Sequence, residues 1–157
     1  MPRRSKASES GGTNAQTAEA EPAAEQTAAR VSACDIVTEA DAERALGMKV
    51  KREGDPGAGS MVQTCSYAAD TQELTKLQNA VSVSLTPYPV SSLMPAEERQ
   101  RLGSVPIEGL GDEALFTESA GLMVTKGQTT ATYLMMGNGY DRRAVLTELA
   151  RATVDRF

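Results

Sequence analysis

Histidine is missing from all 157 residues, and so is tryptophan. Without histidine the chain lacks the commonest general base and the commonest metal ligand. Serine triads that use histidine, and His-containing zinc sites, are excluded outright. Aromatic residues make up 4% of the sequence and the formal net charge is −5. With no basic patch and so few rings for bases to stack on, nucleic acid is not an expected partner. The sequence has no run of about 18 apolar residues, so no transmembrane helix is predicted. A membrane-surface helix rich in Lys and Arg is missing as well.

The shortage of apolar side chains is sharpest at the start. Residues 1–30 contain no Leu, Ile, Val, Phe, Tyr or Trp; Ala, Glu, Ser, Thr, Gln and Gly fill them. Such a stretch cannot bury enough apolar surface to offset chain entropy. Its four basic and four acidic residues cancel, so the net charge of −5 belongs to residues 31–157. The expectation is a disordered tail or linker over residues 1–32 and one domain over residues 33–157.

Cysteine occurs twice, at Cys34 and Cys65. Val31-Ser32-Ala33-Cys34 looks like a bacterial lipidation site. That chemistry needs an apolar segment just upstream, whereas residues 21–30, EPAAEQTAAR, carry Glu21, Glu25 and Arg30. Cys34 is therefore not the expected lipid acceptor. MPRRSK resembles the charged start of a signal peptide, but no apolar core follows it. Either the chain is cytoplasmic or its export signal lies outside this sequence. The two cysteines form no CxxC redox or zinc motif. A bridge between them would close a loop of about 30 residues, worth about 3–4 kcal/mol in the loop-entropy model. The alternative is two buried reduced thiols acting as small apolar residues. Spacing leaves both open.

Patterning then places the elements. A first helix starts at the N-cap Thr38, carries Glu39 and Asp41 in its first turn, and stops at Gly47. Strands are predicted over residues 48–52, 60–68 and 79–86. The second places Met61, Cys65 and Tyr67 on one face. The third alternates Val81, Val83 and Leu85 inward with Ser82, Ser84 and Thr86 outward. A turn, Asp55-Pro56-Gly57-Ala58-Gly59, separates the first two. Pro95 and Gly103 bracket a short helix. Further strands follow over residues 113–117, 122–126 and 128–136, the last two joined at Lys126-Gly127. A closing helix runs from its N-cap Asp141 to Phe157, with Leu146, Leu149, Ala150, Thr153 and Phe157 on one face. The fold class is α+β: an antiparallel sheet covered on one face by helices, in the order helix, three strands, helix, three strands, helix. Leu46-Gly47 and Leu102-Gly103 end the first two helices alike, a hint of internal duplication.

Few residues stand out as chemistry. Glu108-Gly109-Leu110-Gly111-Asp112 lacks the preceding strand, the following helix and the Lys-Ser/Thr of a phosphate loop. Gly109, Gly111 and Asp112 read as a turn, with Asp112 bonding its own turn backbone. Glu97 and Glu98 beside Arg99 and Arg101 read as a solvated charged face. Glu53 and Asp55 lack the further oxygens of a calcium loop. Met94, Met123, Leu134, Met135 and Met136 read either as an adaptable apolar groove or as plain core. Asn138-Gly139 marks the turn into the last helix. No catalytic, cofactor-binding or metal-ligating residue is predicted, and no cofactor.

The combination of these pieces resembles the domain-of-unknown-function 3558 family, secreted lipoproteins mostly of actinobacteria. The matching residues are Cys34, Ile36, Thr38, Glu39, Ala45-Leu46-Gly47, Cys65-Ser66-Tyr67, residues 107–114, Lys126-Gly127 and the closing helix. The likeness spans residues 33–157. It implies an extracytoplasmic domain, a Cys34–Cys65 disulfide, and a linker upstream of the domain. It carries no reaction and no catalytic residues. The resulting expectation is a monomeric, non-enzymatic cell-envelope or secreted domain that binds a small ligand, an envelope component or a protein partner. The alternative is a cytoplasmic accessory or regulatory protein with two reduced cysteines.

Overall fold

In a computed structural model, residues 31–54 and 61–157 are described. The predicted tail lies outside them apart from Val31 and Ser32, as does the predicted turn at 55–59.

Two meanders make one antiparallel sheet. The first comprises β1 (Val50–Glu53), β2 (Gln63–Ala69) and β3 (Ala80–Thr86). The second comprises β4 (Val105–Pro106), β5 (Glu113–Thr117), β6 (Gly121–Lys126) and β7 (Thr129–Met136). They meet through their last strands, β3 against β7, which gives the order β1-β2-β3-β7-β6-β5-β4. Val83 faces Tyr133 across that junction. The register places Cys65, Val83, Tyr133 and Leu122 in one row and their neighbours Ser66, Ser82, Leu134 and Met123 on the opposite face. The alternation of β3 is as predicted: Val81, Val83 and Leu85 are buried, and the residues between them half-buried.

Helices cover the apolar face. These are α1 (Ala33–Ile36), α2 (Glu39–Leu46) and α5 (Arg142–Thr153), the last followed by a 3₁₀ turn, Val154–Arg156. Thr38 caps α2 in a reciprocal box with Asp41, and Gly47 ends it in the left-handed region at φ 66°. Asp141 caps α5 through the Ala144 N–H. Leu146, Leu149, Ala150 and Thr153 are buried, and Phe157 packs at the edge of the same core.

The opposite face has a cover of its own. Between β3 and β4 lie α3 (Val90–Leu93) and α4 (Ala96–Arg101). Val90 and Met94 pack on Leu115 and Met123 in a second, smaller cluster. So β5 and β6 are buried on both faces, while β2, β3 and most of β7 keep one face toward solvent. The sequence pattern did not show α1, α3 or β4, which have four, four and two residues. Two strand starts also move by more than one residue. β2 begins at Gln63, and Met61 is 65% exposed rather than on the inner face. β1 begins at Val50. The hinted duplication has a topological counterpart in the paired meanders, but not a packing one: α2 docks on the sheet, while α4 buries no residue.

Candidate functional site

Among the polar arrangements of the described residues, three bear on function, and two of these serve the fold. The first is the closed corner between α1, α2 and the chain end. Cys34 and Cys65 form a disulfide with their Cα atoms 5.1 Å apart, joining α1 to β2. Cys65 is buried in the core. Beside it, Tyr67 donates its hydroxyl to the Val37 carbonyl at 2.6 Å. Asp41, buried on α2, accepts the N–H and the hydroxyl of Thr38 at 3.0 and 2.7 Å. It also receives the Arg156 guanidinium, which donates to the Ile36 carbonyl at 2.7 Å as well. Burial pushes the Asp41 carboxyl upward, but Arg156 and Thr38 outweigh it and hold the group at about 2. Burial pushes the Tyr133 phenol up to about 12, against the opposing effect of its hydrogen bond with Thr153. These perturbed groups are committed to packing.

The second is the glycine-rich turn. Gly109 and Gly111 both lie in the left-handed region, and a Cβ on Gly111 would strike the Thr125 carbonyl. Asp112 does not close its own turn. Its carboxylate accepts the Gly127 N–H at 2.6 Å, and its N–H donates to the Thr125 carbonyl at 2.8 Å. The turn therefore clamps the Lys126-Gly127 hairpin, a long-range bond that local turn chemistry did not suggest.

The third arrangement is open. β6 pairs with β7 only as far as Leu122 opposite Tyr133. β7 runs on through Leu134, Met135 and Met136, paired on that stretch with β3. The β5–β6 turn stops short beside it, closed by Thr117 accepting the Ala120 N–H at 2.9 Å. The strand overrun leaves a notch of about 390 Å³. Its walls include Phe116, Leu134, Met135, Met136 and Leu146, with Glu118 at the turn and Arg142 from the first turn of α5. Gly121 forms its lip at φ 74°, where a Cβ would collide with the Tyr133 carbonyl.

The five residues read as groove or core are split three ways. Met94 and Met123 belong to the small cluster under α3. Met135 is in the main core. Leu134 and Met136 are exposed at 36% and 62% on the solvent-facing side of β7. Alternation along β7 turns Met135 away from Leu134 and Met136, and α3 covers Met94 and Met123; of the five, the notch at the strand edge is lined by Leu134, Met135 and Met136. Arg142, Glu118 and Gly121 were not foreseen, because a mismatch in strand length leaves no mark on either strand's own pattern.

Among the described residues, no group of three or more Cys, Asp or Glu side chains is arranged to hold a metal. No buried side-chain nitrogen or oxygen among them lacks a hydrogen-bond partner. None of their helices is long and apolar enough to cross a membrane. Comparison with protein-family models, with curated proteins and with solved structures finds no match.

Proposed function

We propose that this chain is a non-enzymatic binding domain of the cell envelope or the extracellular space, built to persist in an oxidising setting and to present the notch to a ligand. The observation that carries this reading is the Cys34–Cys65 disulfide. Both cysteines of the chain are consumed in one bridge that joins helix to sheet. Structural bridges of this kind belong to oxidising compartments and are rare in reducing ones. The likeness to the 3558 family, carried by the residues quoted above, points the same way.

Two further features support a binding role over catalysis. The strongly shifted groups, Asp41 and Tyr133, are held in packing contacts away from the notch. The notch itself offers apolar walls and one cation, a recognition surface without a paired nucleophile and base. Fractionation of the native host tests the assignment. The full-length gene product is expected in the envelope or the medium. Recovery in the soluble cytoplasm overturns it and favours the accessory-protein alternative.

A further inference from the structure

From the notch we infer a ligand class: a straight-chain monocarboxylate of medium length, its carboxylate on Arg142 and its chain laid over Leu134 and Met136. This rests on the reading of the notch as a binding site.

Charge comes first. Arg142 opens α5, a helix of twelve residues, so the positive end of the helix dipole adds to its own charge. Its guanidinium makes one long hydrogen bond, to the Gly137 carbonyl at 3.4 Å. It has no ion pair among the described residues. Most of its fork of N–H donors is thus available for a carboxylate, which it fits edge to edge.

Shape and polarity come next. The notch volume falls within the usual range for small-molecule pockets, roughly 300–1,000 Å³. Leu134 and Met136 supply apolar surface beside the cation, and Phe116 and Leu146 reach it from the core. A ligand charged at one end and apolar along the rest matches that pattern. Glu118 at the turn repels a second negative charge, which favours a monoanion over a phosphate carrying more. The wall bearing Arg142 is also fixed in advance. Asn79 donates to the Tyr140 hydroxyl at 3.1 Å, and Tyr140 donates to the Leu46 carbonyl at 2.9 Å. Gly137 rests so close to Asn79 that any Cβ there would collide with its amide. Little ordering remains for a ligand to impose.

The test titrates the oxidised full-length protein with octanoate, octan-1-ol and butyrate, by calorimetry and by the NMR signals of Leu and Met methyl groups. Octanoate is expected to bind roughly tenfold or more tightly than octan-1-ol, the ratio a charge-assisted hydrogen bond supplies. Butyrate, lacking the chain, is expected to bind far more weakly. Methyl shifts are expected at Leu134, Met135 and Met136. Arg142→Gln should cost a similar factor with the melting temperature unchanged, and Glu118→Gln should tighten binding. Equal affinity for acid and alcohol, an unaffected R142Q, or methyl shifts confined to another face would overturn the inference. If R142Q fails to fold, the acid-to-alcohol ratio and E118Q still decide it. Failure of octanoate to bind removes this ligand class and leaves the compartment assignment to the fractionation result.

Discussion

The two ends of α5 each carry an arginine, and the molecule treats them in opposite ways. Arg156, just past the C-terminal end, is committed: Asp41 and the Ile36 carbonyl hold it, with the disulfide and the Tyr67 hydroxyl nearby. Arg142, at the N-terminal end, has one long bond among the described residues and an apolar notch in front of it. The helix spans about 18 Å between them at 1.5 Å per residue. At one end polar groups are exhausted on one another; at the other they are left over. The closed corner serves stability, and the open one is where we propose recognition.

Removing the disulfide should have the largest effect on that division. Cys34→Ser with Cys65→Ser is expected to lower unfolding free energy by about 3–4 kcal/mol, measured by urea titration. The same double variant should leave octanoate affinity at the notch unchanged in the folded fraction. Next, Arg156→Ala leaves the buried Asp41 carboxylate with only the exposed Arg44 guanidinium, 3.6 Å away, as its cation. Removing one partner of a fully buried pair costs several kcal/mol, but the Arg156 side chain is 37% exposed, so a loss of about 2–3 kcal/mol is expected. The corresponding change at the open end, R142Q, should cost little stability.

Acid sharpens the contrast further. Asp41 is held at about 2 in the folded chain against an ordinary value of 3.8. A depressed carboxyl contributes stability above its unfolded value and loses it as pH falls toward its folded one. The contribution is therefore whole above about pH 5, and most of it, about 2 kcal/mol, is lost by pH 2 as pH falls through the folded value. The stability difference between the native sequence and Asp41→Asn, followed by denaturant titration from pH 5 to pH 2, should shrink by that amount. A difference constant with pH would remove Asp41 from the lock. The smallest effect belongs to Met136→Ser, which should change stability by no more than about 0.5 kcal/mol at a site 62% exposed. It should nevertheless weaken octanoate binding.

The closed corner was half readable in the sequence. Thr38, Gly47 and Asp141 declare helix ends because capping is local chemistry. The alternation of residues 80–86 declares a strand with one wet face. The Asp41–Arg156 pair spans 115 positions and leaves no periodic trace. Neither do α1, α3 and β4, which are too short to complete a pattern. Cover on the second face went unseen for the same reason, since Val90 and Met94 lie among prolines and serines with no amphipathic stripe. At the open corner the sequence pointed to Leu134, Met135 and Met136 by their apolar character. It did not separate the one that enters the core from the two that reach solvent, because that depends on which face of β7 meets α5.

The closed corner depends on one covalent bond, and intact mass measures it directly. Protein isolated from its native host under acid quench is alkylated in denaturant without reductant, and a second portion is alkylated after reduction. The account predicts no adduct in the first portion and two in the second. Two adducts in the unreduced portion would show Cys34 and Cys65 as free thiols; the closed corner would lose its covalent link, and the envelope assignment the observation that carries it.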